Sequence, residues 1–551
     1  MKHKYHYFLF FFLTFSLSLS AQITQRERPA EWAQLVEGAR FMDRFLPLEG
    51  EILSSDTWGV KGVVPRYIDN GIEDRVWSYW GGNIKKGDDG KYHLFVCGWL
   101  ESSPKGHAEW GNSYVFNAVC DNQNGPFRIR NVIGKGHNPE VFRLKDGRYV
   151  LYVIGGRYVT DDLNGKWEYG KFDFNTRDRK VIEGLSNLSF AQREDGSYVM
   201  VCRGGGIWIS RDGLSQYNQL TDKRVYPDVA GEFEDPVIWR DHIQYHMIVN
   251  DWLGRIAFYL RSKDGVSWVV DPGEAYMPGI AVHKDGHVED WFKYERIKVF
   301  QDNYGRAVQA NFAVIDTLKP EDKQSDNHSS KNISIPLNPG VLLTIPDEAP
   351  INAKTKTIRL KIHAEDGFNP QKDIDINSLR FGASEEVNYG RGCKVLKVEN
   401  CDNDLIVTFE GKGSGITDSE FAPKLLGKDK NGKMLYGYAR LPYLKYLEPV
   451  LSACAPVFTG SGKDISCSIE VQNFGQIASG KTFVKIDYHK DGKVINVASG
   501  TVPALSPYEK VILQLQSKKS LEEKSEGLFT ITIYSEKKTY SVFNFEKVEN
   551  L

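Results

Sequence analysis

Short runs of alternating apolar and polar residues fill most of the chain, and between residues 80 and 314 one such pattern recurs five times. Each copy has a polar residue, an apolar run, a turn and a second apolar run, and three of the turns read Asp-Gly. An Asp-Gly turn between two alternating runs is typical of a β-hairpin. The copies are GGNIKKGDDGKYHLFV (81–96), HNPEVFRLKDGRYVLYVIG (137–155), SNLSFAQREDGSYVMVCRG (186–204), EDPVIWRDHIQYHMIVND (234–251) and ERIKVFQDNYGRAVQANFAV (295–314).

The spacing of the copies predicts the architecture of this region. The turn glycines Gly90, Gly147, Gly196 and Gly305 set the copies about 50 residues apart. That length holds four short strands, which is the size of one blade of a β-propeller. Five copies in register therefore predict a five-bladed β-propeller, and they favour it over a β-sandwich with hairpins that resemble each other by chance.

The regions around the repeats predict further β structure. PAEWAQLVEGARFMDRF (29–45) has apolar residues at helical spacing, which predicts a helix that packs on the propeller or on a second subunit, the latter giving a homodimer. Two later stretches alternate like strands joined by Gly-rich turns, and VQNFGQIASG resembles adhesion-type immunoglobulin-like modules. We therefore expect a mainly β chain, with a lead-in at 22–75, the propeller at 76–319, a linker at 320–332, a β-sandwich at 333–446 and an immunoglobulin-like β-sandwich at 447–551.

The N-terminus has the three regions of a signal peptide: a basic start, an apolar run over 8–17 and small residues up to Ala21. The apolar run is shorter than the ~20 residues that span a bilayer, so cleavage near Ala21 and a secreted or periplasmic protein without a membrane span are expected. A formal net charge of -2 with 26% charged residues argues against a nucleic-acid partner.

The seven cysteines do not form a metal-binding motif. Cys393 with Cys401, and Cys454 with Cys467, are close enough in sequence for disulfides, although spacing cannot establish connectivity. No CxxC pair or His/Cys cluster indicates zinc. The sequence predicts neither a metal nor a cofactor.

A polar residue recurs at one phase of the repeat. The position nine residues before the turn glycine is Gly81, Asn138, Asn187 and Arg296, and Asp235 takes that place in the fourth copy. The innermost strand of each blade lines the central channel of a propeller. A shared polar pocket is therefore expected where these residues converge.

Ionisable residues next to these positions are candidate catalytic groups. Glycoside hydrolysis needs a group that protonates the leaving oxygen and a carboxylate that activates water or attacks carbon. For each candidate, the alternative is a strand cap or an ion pair with Arg296. The neighbours are His137, Glu140, Glu234 and Glu295.

The repeats with acidic residues at strand entrances resemble the five-bladed glycoside hydrolases of families 43, 117 and 130. Glu-Asp-Pro at 234–236 is similar to the strand entrance of these families, whereas the first copy has Gly81-Gly82-Asn83 where family 43 has Asp-Pro. Resemblance to family 117 implies an Asp before the first blade, an Asp in a middle blade and a later His acid. Asp74, Asp235 and His287 occur in that order.

The expected function is an exported, exo-acting glycoside hydrolase of plant or algal polysaccharide fragments. Asp235 and Glu234 would lie at its site, with Glu140 as a second carboxylate and His287 or Glu295 as the acid. Substrate contacts would come from Asn138, His137, Asn187, Arg296, Trp80 and Arg203, the arginines suiting a carboxylated or sulfated sugar. The alternatives are a polysaccharide lyase that uses His137 or His287 with Tyr294, and a glycan-binding protein without activity.

Overall fold

The computed structural model describes residues 26–55, 62–459, 466–516 and 528–546, and the chain is mainly β. The predicted signal peptide lies outside these residues. Within them, no helix has the length and apolar character needed to cross a membrane.

Two short 3-10 helices, Ala30–Gln34 and Phe41–Arg44, replace the single helix predicted over 29–45. Gly38 separates them with a left-handed φ of 84°, and a Cβ atom there would lie 2.5 Å from Leu426. The apolar side chains face different parts of the same chain, since Trp32 and Phe41 enter two separate cores. A two-stranded sheet of β1 (Leu53–Ser54) and β2 (Arg66–Tyr67) follows.

Five sheets come next in chain order, antiparallel except for one parallel strand in the third. The first has β3 (Trp77–Lys86), β4 (Tyr92–Leu100), β5 (Tyr114–Cys120) and β6 (Arg128–Lys135), with a 3-10 helix (Gly106–Asn112) before β5; the second has β7 (Glu140–Arg143), β8 (Tyr149–Val153), β9 (Gly156–Thr160) and β10 (Glu168–Gly170). The third has β11 (Phe174–Asn175), parallel to β15, with β12 (Ser189–Gln192), β13 (Tyr198–Val201), β14 (Ile207–Ser210) and β15 (Tyr217–Gln219). The fourth has β16 (Phe233–Arg240), β17 (Tyr245–Asp251), β18 (Ile256–Ser262) and β19 (Val269–Tyr276), and the fifth β20 (Lys293–Gln301), β21 (Ala307–Ile315) and β22 (Ser330–Pro336).

One edge strand of each sheet contacts the corresponding strand of the next sheet, and β20 contacts β3. We call these five the first strands: β3, β7, β12, β16 and β20. Apolar clusters fill the spaces between consecutive sheets, and one joins the first sheet to Phe300 of the fifth. The lead-in also reaches the fifth sheet, because the Ile72 amide donates to the Asn332 carbonyl of β22 at 2.9 Å. Residues 330–336 pair with β21, so the fifth sheet extends through the predicted linker.

Two further apolar cores lie in the later residues. The first is enclosed by β23 (Leu343–Thr344), β24 (Thr357–Ile362), β25 (Ile374–Gly382), β26 (Val395–Cys401), β27 (Asp404–Glu410), β28 (Lys424–Asp429) and β29 (Met434–Tyr438), with one-turn helices α1 (Pro370–Asp373) and α2 (Ser384–Val387). The second is enclosed by β30 (Leu451–Ala453), β31 (Val457–Thr459), β32 (Ser466–Asn473), β33 (Thr482–Lys490), β34 (Lys493–Val502), β35 (Lys510–Gln516), β36 (Leu528–Tyr534) and β37 (Thr539–Phe545).

The cysteine pairs considered from their spacing do not form disulfides. All seven cysteines lie within the described residues, and each is a free thiol. Strand register explains the separation, since Cys401 is opposite Asp404 and Cys467 is opposite Phe458.

Candidate active site

The chain turns left-handed at one residue near the start of each first strand of the five sheets. In β3, β16 and β20 the pairing register shifts at this point, and β7 and β12 begin two residues after it. Such a bulge redirects a side chain away from the strand's regular alternation. We call these residues the left-handed set: Gly81 (φ 57°), Asn138 (55°), Asn187 (53°), Asp235 (55°) and Arg296 (55°).

The left-handed set coincides with the five positions that the repeat phase predicted. A left-handed φ is uncommon for residues other than glycine, although Asn and Asp tolerate it better than most. Each such residue costs about 1–3 kcal/mol, and conformations of this kind cluster at active sites and ligand clamps. Four strained residues at equivalent places therefore favour a functional role.

Side chains of the left-handed set form hydrogen bonds and an ion pair between successive sheets. Asn138 Nδ2 donates to Asn187 Oδ1 at 3.3 Å, and Asn187 Nδ2 donates to Asp235 Oδ1 at 3.1 Å. Arg296 Nη1 lies 2.8 Å from the same Asp235 oxygen. With Gly81, these residues line one pocket, whose remaining wall is Gly82, Pro139, Leu188, Pro236, Ile297 and Lys298.

Glu234 lies beside this chain of contacts and faces outward from it. Its Oε1 accepts from Asn187 Nδ2 at 2.9 Å and pairs with Arg203 Nη1 at 3.3 Å and Arg296 Nη2 at 3.9 Å. Oε2 has no hydrogen-bond partner among the described residues, and 17% of the side chain is exposed. This oxygen is available to a ligand.

Asp235 has the opposite environment. The residue is 2% exposed, and burial raises its pKa to about 7. Arg296 opposes this rise, whereas the nearby charges of Glu234 and Glu295 add to it. A carboxyl group of this kind carries a proton for much of the time near neutral pH.

Glu295 is held in its charged form by two lysines. Lys293 Nζ lies 2.8 Å from Oε1, and Lys319 Nζ lies 2.6 Å from Oε2. Although burial disfavours the charge, Lys319 and Lys293 hold the pKa of Glu295 well below its usual range. A carboxyl group whose pKa is held this low stays ionised near neutral pH, so Glu295 is not suited to donate a proton.

His137 and Trp80 precede the left-handed residues of the second and first sheets. His137 Nδ1 lies 2.9 Å from Ser113 Oγ, and burial, followed by the charge of Arg296, lowers its pKa well below the usual value. Trp80 is 2% exposed and lies under Lys319 Nζ at 4.8 Å, so its ring has little surface for a sugar. The exposed tryptophan beside the site is Trp110, whose ring is 4.9 Å from that of His137.

Glu140 is the first residue of β7, two residues after Asn138, and both of its carboxylate oxygens have partners. Oε1 accepts from the Ser189 hydroxyl and the Phe190 amide, both at 3.0 Å, and Oε2 pairs with Lys298 Nζ. The predicted second carboxylate therefore joins sheets. Equivalent positions in the first, third and fifth sheets also bond to another sheet, and we call these residues the stitching set: Asn83, Glu140, Ser189 and Lys298.

Asp74 and His287, implied by the family 117 resemblance, make other contacts. Asp74 Oδ1 accepts from the Val76 and Trp77 amides at 2.7 and 2.9 Å at the start of β3. The His287 ring lies 5.8 Å from that of Tyr67. Among the described contacts, neither residue touches the left-handed set.

Loops contribute site residues that the repeat did not indicate. Lys319 lies between β21 and β22, and His107 lies between β4 and β5 with its ring 4.9 Å from Trp80. In an antiparallel sheet, the loop between the second and third strands is at the same end as the start of the first. This rule was the one signal that could have placed these two loops beside the site. Within the described residues, no group of three or more His, Cys, Asp or Glu is arranged to hold a metal ion.

Comparison with known proteins gives no family. No family model and no curated protein matches the chain. Solved structures that match include an alpha-L-arabinofuranosidase from Lactobacillus brevis (12% identity, TM-score 0.34, 47% of this chain and 91% of that chain) and a protein of unknown function from Dyadobacter fermentans DSM 18053 (10%, 0.32, 54% and 93%). A GH43 protein from Bacillus licheniformis also matches (9%, 0.30, 86% and 90%). Scores this low carry no argument about fold or activity.

Proposed function

We propose that the five sheets are the blades of a five-bladed β-propeller and that the left-handed set lines a sugar-binding pocket at its centre. The contacts between successive first strands, together with the contact of β20 with β3, support this arrangement. The protein would be a secreted or periplasmic glycoside hydrolase. Its substrate would be a fragment of a plant or algal polysaccharide.

One observation carries the proposal: Glu234 and Asp235 are adjacent carboxyl groups in opposite environments. Asp235 is buried with a pKa of about 7, and Glu234 has an uncommitted oxygen beside the residues that line the pocket. Glycoside hydrolysis needs one protonated and one ionised carboxyl group. Neighbouring acids whose environments differ in this way identify the acid and its partner.

These environments support a proposed role for each group. Asp235 protonates the glycosidic oxygen, and Glu234 Oε2 attacks carbon or activates water. Asn138 and Asn187 hold the sugar hydroxyls.

The pocket suits the end of a glycan rather than its middle. Asp235, Asn138 and Asn187 are nearly inaccessible to solvent, and strands of different sheets surround them. A chain that continued in both directions would need an open groove. We therefore propose an exo-acting enzyme that releases a terminal sugar.

The test is incubation of purified protein with plant and algal oligosaccharides, read by mass spectrometry and ultraviolet absorbance. Hydrolysis adds the mass of one water to the products without new absorbance. A conjugated double bond in the product would instead indicate a lyase, and binding without any product would indicate a glycan-binding protein. Either outcome would overturn the proposal.

Asp235→Asn is the critical variant, because Asn already occupies the equivalent left-handed position in the second and third sheets. Asp146→Asn, in an exposed hairpin turn of the second sheet, is the matched control. We expect activity to be lost in the first and kept in the second.

A further inference from the structure

We infer that the terminal sugar carries an anionic group, a carboxylate or a sulfate ester, held between Arg203 and Arg296. This inference rests on the proposed function and names the substrate class of the same pocket. Its basis is the arrangement of charges around the two site carboxyls.

Ion pairs of alternating sign run from the pocket floor to the surface. Asp235 pairs with Arg296, Arg296 with Glu234, and Glu234 with Arg203. Exposure of the side chains rises along this path, from 0% at Asp235 to 35% at Arg203. At the surface, Arg203 lies 3.7 Å from Glu183, which also pairs with Arg224. Arg203 is therefore the last cation that contacts a site carboxylate, and Arg224 lies beyond it.

A second group of charges has an excess of cations. Lys293 and Lys319 share the single carboxylate of Glu295. The ion pairs that include Asp235, Glu234 and Glu295 thus join three carboxyl groups to four cations. Protonation of Asp235 leaves two carboxylates, so the pocket is positive when Asp235 can act as an acid.

The two histidines next to the pocket respond to this positive charge. After burial, Arg296 is the largest influence that lowers the pKa of His137, and Lys319 is the largest that lowers the pKa of His107. Both imidazoles stay neutral and add no further cation. Unbalanced buried charge is unfavourable, so an anionic ligand is stabilised here more than a neutral one.

The arginines have the geometry to bind an anion. Both approach the same Glu234 oxygen. Arg296 Nε is buried with no hydrogen-bond partner among the described residues, and Arg203 Nε has only Glu183, at 3.7 Å. A guanidinium presents its N–H groups as a planar fork that matches carboxylate and sulfate oxygens. A substrate anion beside Glu234 would occupy the unused donors.

The binding test needs no turnover. Calorimetry with the wild-type protein would compare galacturonic acid with galactose, glucuronic acid with glucose, and galactose 6-sulfate with galactose. We expect at least one charged sugar to bind about tenfold or more tightly than its neutral partner, since hydrogen bonds to charged groups are the stronger ones. Preference for a uronic acid or for the sulfate ester identifies the anion.

Substitutions of the arginines test where the anionic group of the sugar binds. Arg203→Gln should remove the preference, and Arg203→Lys should restore only part of it because the charge remains without the fork. Arg224→Gln removes a cation that pairs with Glu183 but not with Glu234, and it should keep the preference. Equal affinity for charged and neutral sugars, or an unchanged preference in Arg203→Gln, overturns the inference. Cleavage of neutral glycosides alone would overturn it while leaving the proposed hydrolase intact.

Discussion

Two sets of polar side chains lie two residues apart on the same first strands, and they differ in how completely they are bonded. In the stitching set, Asn83 donates to the Val141 carbonyl at 2.9 Å and accepts from its amide at 2.8 Å, so it joins the first and second sheets. In the left-handed set, Asn138 Oδ1 and Arg296 Nε are buried without a hydrogen-bond partner among the described residues. These incomplete bonds leave one acceptor and one donor free to bond a ligand or water.

Backbone conformation separates the two sets as well. No residue of the stitching set has a left-handed φ, whereas four residues of the left-handed set hold a φ that non-glycine residues rarely adopt. Strand cohesion does not require that strain, because the stitching set supplies it without strain. Polar burial therefore has two uses in one set of strands: complete bonding holds sheets together, and incomplete, strained bonding forms a pocket.

The largest effect is expected from the two site carboxyls. Asp235→Asn and Glu234→Gln should each lower kcat/KM by about 10²–10⁴-fold, the usual contribution of a positioned acid or base. Thermal unfolding should change little in Glu234→Gln, which keeps the shape of a partly exposed side chain, whereas Asp235→Asn removes the buried carboxylate that pairs with Arg296 and should lower the unfolding temperature. Measured rates on any glycoside that the wild type cleaves would check this. Wild-type rates in both variants would place the chemistry elsewhere.

Substitutions in the stitching set should lower the free energy of unfolding rather than the catalytic rate. Glu140→Ala leaves the Lys298 ammonium buried without its carboxylate, and loss of one partner of a buried pair costs about 3–5 kcal/mol. Denaturant unfolding would measure the loss. The double variant with Lys298→Met removes both charges and should recover much of it. An unstable single variant whose folded fraction has also lost activity would give Glu140 a catalytic role.

The pH profile should report Asp235. Its pKa is raised to about 7, so the acid is protonated below that pH and loses its proton above it. Activity should therefore fall about tenfold per unit as pH rises beyond 7. A rate that stays constant from pH 7 to 9 would exclude Asp235 as the proton donor.

Sequence reasoning reached the left-handed set because a repeat fixes the phase of each strand relative to its turn. Counting back from Gly90, Gly147 and Gly196 identifies residues that share a backbone conformation in the structure. The same periodicity suggested Glu140 as a catalytic group. Phase alone does not show which neighbour fills a carboxylate's oxygens, and here Lys298 comes from a strand far along the chain.

Periodicity could not predict the site residues that lie in loops. Nor could it predict the conformation of a segment whose side chains pack into two different cores. Lys319 and His107 lie in loops of different length, which carry no repeat. In the lead-in, apolar spacing resembled a helix because Trp32 and Phe41 must reach two separate cores on either side of Gly38. The helical spacing of the apolar residues therefore shows which side chains are buried, whereas tertiary packing determines the local backbone conformation.

The smallest expected effect compares one asparagine from each set. Asn83→Ala leaves the Val141 amide and carbonyl buried without partners and should destabilise the fold by about 1–3 kcal/mol. Asn138→Gly should change stability by less than about 1 kcal/mol, since glycine relieves the left-handed strain and already serves at the equivalent Gly81. Denaturant unfolding of both variants would measure the contrast. Because Asn138 would act on ligand rather than on the fold, its variant should bind the sugar more weakly while remaining folded; equal destabilisation by the two changes would mean that both sets serve the fold alone.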